Sequence, residues 1–299
     1  MSGSTDGLRR KIAGAQDLEG VVRSMKALAA SSIGQYEKAV QSMDEYYRTV
    51  KLGLAVCLRQ ADPTAAGEST GGQPGGPIVA VVFGSDQGLV GRFNEVLVEF
   101  AEGKLRTLSG KLTQIWAVGE RAHDLIADTG LGPVGRLSVP ASVNTIASLT
   151  GQILIKIETA RELGDVKAVY VFHNQPQSGA TYEPVGKRLL PLDHTWQNKL
   201  AATPWPTKIL PEIIEGTPQA LQAFIREYLF VLLFQACAES LASENASRLA
   251  AMQRAEKNIE NILEELSRRL HRIRQESIDE ELFDVISGFE ALKRRGRHT

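Results

Sequence analysis

Residues 21–57 read VVRSMKALAASSIGQYEKAVQSMDEYYRTVKLGLAVC and contain no proline. Apolar or small residues recur every seven positions, and a second row lies four positions after members of the first. The first row is Val22, Ala29, Tyr36, Met43, Val50 and Cys57, and the second is Ile33, Val40, Tyr47 and Leu54. Alternating steps of three and four are typical of a coiled-coil seam. We therefore predict one helix over 5–60, about 80 Å long, which requires a partner helix.

A second long helix is predicted at the other end of the chain, over 217–292. Its seam is formed by Met252, Ile259, Leu266 and Ile273, interleaved with Leu249, Leu263 and Leu270. A further apolar series consists of Ile278, Leu282, Val285, Phe289 and Leu292. Its phase is displaced around 274–277, which indicates that the helix leaves its partner there. We expect the two ends to pair as an antiparallel coiled coil, with the longer helix projecting beyond the pair.

The hydrophobic period changes between the two helices. Buried strands are predicted at 78–83, 112–118 and 166–172, and helices at 92–108, 120–128 and 142–163. We expect one or two further strands over 181–192. Strands that alternate with helices predict a small, mostly parallel α/β domain. The expected organisation is an N-terminal helix, a Gly- and Pro-rich linker, the α/β domain, and a C-terminal helix with a basic tail, at 1–60, 61–77, 78–211 and 212–299.

Composition excludes several classes of protein. The net charge of −1 argues against broad nucleic-acid binding, and we interpret the basic stretch 293–297, KRRGR, as a solvated tail. Cys57 and Cys237 fall in apolar helical patterns, which favours buried thiols over a disulfide. The longest apolar tract, 228–238, has about half the length of a membrane span. We therefore expect a soluble protein with no direct membrane span.

The sequence shows no pattern typical of a catalytic, metal or cofactor site. The loop 84–91, GSDQGLVG, follows a strand and opens a helix, where nucleotide folds bind phosphate, but it does not have the G-x-G-x-x-G spacing. A tight turn is favoured over a nucleotide site. The five histidines have no metal-ligand spacing, and no nucleophile stands beside a general base in the pattern. We expect no cofactor, no metal and no enzymatic activity.

Four stretches resemble F-type ATP synthase gamma subunits, and they occur in that family's order. They are 8–30, LRRKIAGAQDLEGVVRSMKALAA; 85–94, SDQGLVGRFN; 242–252, ASENASRLAAM, with Lys257 and Asn258; and 274–282, RQESIDEEL, followed by 286–292, ISGFEAL. The chain departs from the family pattern where 90–92 reads Val-Gly-Arg in place of Cys-Gly-Gly. Asn245 replaces a His and Asp279 a Thr. These departures indicate a divergent branch.

The resemblance implies two terminal helices coiled inside a hexamer of alternating α and β subunits, with a Rossmann-like domain below. That domain is expected to contact an epsilon-type subunit and the membrane ring of c-type subunits. The implied function is a rotor shaft, which couples ion-driven rotation of the ring to conformational change in the catalytic β subunits. The coupling ion, hydrogen ion or sodium, stays open. The implied location is peripheral, at the cytoplasmic face of the cell membrane.

The resemblance also implies subunit-contact residues. They are Met25, Lys26, Arg274, Gln275, Asp279 and Glu281. The first two are expected either to face the β subunits or to pack within the coiled coil. Arg274 and Gln275 are expected to engage an acidic loop of a β subunit, because arginine presents a planar fork to carboxylates. The alternative is an exposed helical charge cluster.

Two other functions stay open from the residues alone. One is a nucleotide-dependent enzyme built on the α/β segment, which measurable binding of NAD or ATP would support. The other is a generic coiled-coil scaffold, which would have partners other than ATPase subunits.

Overall fold

The fold is taken from a computed structural model, which describes residues 2–61, 76–108, 114–163, 166–177, 181–209, 211–214 and 216–295. Several sequence predictions lie outside the described residues. They are the linker at 62–75, the first two residues of the strand predicted over 112–118, the side chains of Phe289 and Leu292, and the basic tail, apart from the backbone up to 295.

Eleven elements follow one another along the described residues. They are α1 (Ser2–Gln60), β1 (Ile78–Phe83), α2 (Phe93–Thr107), β2 (Gln114–Val118), α3 (Glu120–Asp128), β3 (Pro133–Leu137), α4 (Val143–Leu163), β4 (Ala168–Gln177), β5 (Thr181–Leu190), α5 (His194–Ala201) and α6 (Thr217–Arg295). The two long terminal helices and the α/β segment between them are those that the hydrophobic periods predict.

The chain divides into two compact units, and both long helices contribute to each. The larger unit comprises residues 29–249 and holds the whole sheet. The smaller unit comprises the described residues before 29 and after 249.

The sheet of the larger unit has the strand order β3-β2-β1-β4-β5. The first four strands run parallel, and β5 pairs antiparallel with β4. This confirms a mostly parallel sheet, and the region predicted to hold one or two strands forms a single strand, β5. Every residue of β1 is buried, because helices cover both faces of a doubly wound sheet.

In the larger unit, α1 and α6 run antiparallel, and α1 packs on α6 through its predicted seam. Tyr47 stacks on Tyr228 with ring centroids 5.8 Å apart, while Phe224, earlier on α6, packs at Gly53, later on α1. All the predicted seam positions of α1 in this unit are buried or half-buried. Ala29 and Leu54 are almost fully buried. The coiled-coil prediction for this helix is confirmed.

In the smaller unit, the same two helices pair through a narrower seam. Leu8 and Met252 are buried, and the predicted positions Ile259, Leu266 and Ile273 are half-buried. Between these positions the surface of α6 is mostly exposed and charged. A stripe of this width is the pattern of a two-helix coiled coil.

By length and composition alone, α6 contains a stretch within Thr217–Ser287 that is apolar enough to cross a bilayer. Half of that apolar window is buried inside the protein. Val231, Leu233, Ala236 and Ala238 belong to the core of the larger unit or lie buried beside it. The core helix of a folded protein has the same properties, and packing accounts for the apolar composition.

Candidate functional site

The distal part of α6 carries four of the sequence-predicted contact residues. Arg274, Gln275, Asp279 and Glu281 are all exposed. They lie within eight consecutive helical positions, so the structure places them within about 10 Å of one another along the axis. Their charged groups are therefore available to another molecule.

Exposed apolar residues surround these charges. We call the residues Ile278, Leu282, Val285 and Ile286 the apolar strip. Their exposed fractions are 61, 56, 69 and 48%, and Phe283 beside them is 71% exposed. The four positions fall within about 100° of the helical circumference, because each residue advances the helix by about 100°. The phase displacement at 274–277 therefore marks the point at which the apolar side chains of α6 change from half-buried to exposed.

Met25 and Lys26 lie elsewhere in the smaller unit, on α1. The Nζ atom of Lys26 lies 2.5 Å from Oε2 of Glu256 on α6, and Nε of Arg23 lies 3.7 Å from the other carboxylate oxygen. The hydrogen bond from Lys26 lowers the pKa of Glu256. Since Glu256 precedes Arg274 by 18 residues, these two sets of predicted contact residues lie about 27 Å apart along α6. Lys26 thus takes part in helix pairing, which is one of its two predicted roles.

The loop after β1 is held by its own polar groups. The Asn94 carboxamide accepts from the Ser85 backbone N–H at 2.9 Å and donates to the Ser85 hydroxyl at 2.8 Å. The Asp86 carboxylate accepts from the backbone N–H groups of Glu120 and Val139. These bonds tie the loop to α2, α3 and the segment after β3, which agrees with its interpretation as a tight turn.

The carboxyl end of the parallel strands, where α/β sheets usually bind ligands, is covered by α6 in the larger unit. Polar side chains of α6 that the sequence did not single out individually are buried there. They are Glu239, Ser240, Ser243, Glu244 and Ser247. All five lie in the ASENASRLAAM stretch or just before it, which is the one signal in the sequence that points to them. Among the described residues, no group of three or more His, Cys, Asp or Glu side chains could hold a metal ion.

Comparison with known proteins gives one consistent family. The model of the ATP synthase family matches residues 4–292. The ATP synthase gamma chain of Polynucleobacter asymbioticus is 24% identical, covering 97% of this chain and 99% of that one. The gamma chain of Sorangium cellulosum is 27% identical with the same coverage of both chains.

Solved structures show the same fold. A chain in the cryo-EM structure of the Euglena gracilis mitochondrial ATP synthase rotor matches with a TM-score of 0.64 and 16% identity, over 93% of this chain and all of that one. A chain in the OSCP/F1/c-ring structure of the same organism matches with a TM-score of 0.67 and 17% identity, over 98% and 95%. The family match over nearly the whole length, in the motif order seen in the sequence, establishes that this chain belongs to the ATP synthase gamma family.

Proposed function

We propose that this chain is the central rotor shaft of an F-type ATP synthase, in which ion-driven rotation of a membrane ring is coupled to conformational change in catalytic β subunits. As a gamma chain it is a non-catalytic subunit. The observation that carries the proposal is the exposed distal end of α6, where the apolar strip and the predicted contact residues occur together.

The apolar strip is the kind of surface that suits a contact in which one protein turns against another. Large apolar side chains grouped on a protein surface mark a site of contact with another protein. Burial of such side chains is favourable but non-directional, so a partner can hold them without fixing one angle of rotation. Directional bonds, by contrast, would resist turning. The proposed partner of this end of α6 is the hexamer of alternating α and β subunits.

The charged residues around the apolar strip are proposed to touch the β subunits. Arg274 and Gln275 would engage an acidic loop of a β subunit, with Asp279 and Glu281 beside them. Exposure supports this proposal, since each side chain is open to solvent. Met25, which is half-buried on α1, is proposed to face the β subunits through its exposed part, with Lys26 next to it.

The protein is part of the F1 complex and peripheral to the membrane. We propose the cytoplasmic face of the cell membrane as its location. The α/β domain is proposed to contact an epsilon-type subunit and the ring of c-type subunits.

The test is co-expression of the full chain with the α and β subunits of its own organism, followed by affinity purification through a tag on β. We expect the three proteins to co-purify in a stoichiometric, ATP-hydrolysing complex. Purification of the chain as a stable monomer while α and β are present would contradict the proposal. Recovery with coiled-coil partners other than ATPase subunits would instead support a generic scaffold.

A further inference from the structure

One face of α6 in the larger unit is polar and yet buried. Glu239, Ser240, Ser243 and Ser247 fall within about 100° of the helical circumference and form a single stripe. Their exposed fractions are all below one-tenth. We call these four residues the helix clasp. Buried polar groups are costly unless they are hydrogen-bonded, so the partners of this stripe indicate what it does.

The three serines of the helix clasp donate to backbone carbonyls at one end of the sheet. Ser240 Oγ donates to the carbonyl of Phe83, the last residue of β1, at 2.8 Å. Ser243 Oγ donates to the carbonyl of Asn174 on β4 at 3.0 Å. Ser247 Oγ donates to the carbonyl of Val90, in the loop after β1, at 2.5 Å.

The fourth member of the helix clasp is an acid paired with a buried histidine. Oε2 of Glu239 lies 2.7 Å from Nε2 of His173 on β4, and the side-chain amide of Gln235 donates to Oε1 of Glu239 at 2.8 Å. Neither His173 nor Glu239 is exposed. The helix clasp thus reaches β1, β4 and the loop between β1 and α2, which are separate parts of the α/β unit.

These contacts differ from ordinary packing of a helix on a sheet. Apolar contact is non-directional and tolerates small rotations of a helix about its own axis. A hydrogen bond weakens steeply when its angle or length departs from the optimum. Four such bonds, spread over nine residues of α6, resist both rotation of the helix and sliding along it. In addition, α6 continues without a break to Arg295.

We propose that the helix clasp prevents the α/β domain from rotating relative to α6, so that torque passes between them without twisting at their contact. This inference rests on the proposed function, since torque has a meaning only in a rotor. It assigns a mechanical task to the carboxyl end of the parallel strands, where related folds bind ligands.

The experiment measures the torsional stiffness of the rotor in the assembled α, β and gamma complex. The α and β subunits are fixed to a surface and locked by inhibition, and a bead is attached to Asp128→Cys, an exposed position at the end of α3. Within this chain, labelling is selective because both natural cysteines are buried. The angular variance of the bead is inversely proportional to the stiffness of the elements between bead and stator.

The test variant is Ser240→Ala with Ser243→Ala, which removes two of the four clasp bonds. If the bonds act as parallel springs, the variance that arises at this contact increases about two-fold. The matched control is Ser42→Ala with Thr49→Ala. It also removes two hydroxyl groups, but those donate to carbonyls of their own helix. We expect the control to match the unsubstituted complex.

Assembly is checked first by co-purification with α and β, so that failure of the proposed function is seen separately as absence of a complex. If the double variant does not assemble, Ser243→Ala alone retains three bonds and is expected to raise the variance at the contact by about one-third. An assembled variant whose angular variance equals that of the control would overturn the proposal.

Discussion

Nε2 of His173 on β4 lies 2.7 Å from Oε2 of Glu239 on α6, and both side chains are buried. The other ring nitrogen, Nδ1, is buried with no hydrogen-bond partner in the described part of the chain. A protonated ring would bury a second N–H without an acceptor, so the ring is neutral and donates from Nε2. Burial accordingly lowers the pKa of His173. Burial alone would raise the pKa of Glu239, but the His173 hydrogen bond, the Lys187 charge and the Gln235 amide lower it on balance.

The first prediction concerns stability and pH. Below about pH 6.5 an unfolded histidine takes up a proton while the folded, neutral His173 resists it. The unfolded state then binds more protons, so the free energy of unfolding decreases as the pH is lowered, by about 1.4 kcal/mol per pH unit at most. The pKa of Glu239 is also lowered on folding. Its contribution to the free energy of unfolding is therefore also lost as the pH is lowered, but in a more acidic range.

The measurement is urea unfolding of the full chain between about pH 5.5 and 7.5, with His173→Gln as the variant. We expect the variant to show a shallower dependence on pH than the natural chain. His194→Gln, at an exposed position, is the control and should keep the slope. Equal slopes for all three proteins would mean that His173 is not neutral in the folded state.

The second prediction concerns two glycines with positive φ. Gly119 precedes α3 with φ of 101°, and a Cβ there would lie 2.6 Å from backbone atoms of Ser85. Gly130 has φ of 76°, but a Cβ there would meet no atom within 4 Å. We expect Gly130→Ala to cost about 1 kcal/mol through backbone strain alone. Gly119→Ala should cost about 3 kcal/mol or more, because backbone must also move. If urea unfolding gives similar losses of stability for the two variants, the backbone of the loop after β1 can move at little cost.

The hydrophobic period in the sequence was sufficient to predict both long helices, their seams and most of the sheet. Residues at steps of three and four pack inward on α1, and the bounds of β1 are those predicted, because a run of buried β-branched residues is a strong local signal. The strand predicted over 166–172 begins two residues later in the structure, at Ala168, and ends five residues later than predicted. In the structure, β4 extends to Gln177, since pairing with β5 stabilises polar residues that have low strand preference by themselves.

Two elements were missed. The strand β3, PVGRL, begins with proline and contains glycine, and it forms because β2 supplies an edge to pair with. The helix α5 is only eight residues long, although the Asp193 side chain that accepts from the Thr195 N–H is a recognisable N-cap. The partners of the three serines of the helix clasp are backbone carbonyls distant in sequence. They leave no side-chain pattern, so reasoning from the sequence could not identify that contact.

The third prediction separates the two roles of Lys26. If Lys26 acts by pairing with Glu256, then Lys26→Gln and Glu256→Gln should both lower the melting temperature of the chain. The decrease should be slightly larger for Glu256→Gln, because it also removes the contact with Arg23. The double variant should then be no less stable than Glu256→Gln alone, because the Lys26 contact is already lost in that variant. If Lys26 acts on a β subunit, Lys26→Gln alone should reduce the ATPase turnover of the complex. Measurement of melting temperature and turnover for all three variants distinguishes the two roles.

The fourth prediction concerns Arg274. Arg274→Ala should lower the coupled ATPase turnover of the assembled complex without unfolding the subunit, since the side chain is exposed. Loss of a charged contact worth about 1 kcal/mol corresponds to about a five-fold decrease in rate. Arg254→Ala, another exposed arginine on α6, is the control. Normal turnover together with a lower melting temperature would assign Arg274 a structural role instead.

The last prediction concerns the apolar strip. Leu282 and Val285 are already 56 and 69% exposed, so their replacement by serine should change the stability of the isolated chain by no more than about 0.5 kcal/mol. In the complex both side chains would be buried, and their loss should weaken binding to the α and β hexamer on the order of 100-fold. Val134→Ser, at a 54% exposed position on β3, controls for the loss of any exposed apolar side chain. Titration of the hexamer with each variant measures the affinity. If Leu282→Ser with Val285→Ser binds as tightly as the control, the exposed end of α6 is not the surface that the hexamer holds, because removal of that much buried apolar area cannot leave the affinity unchanged.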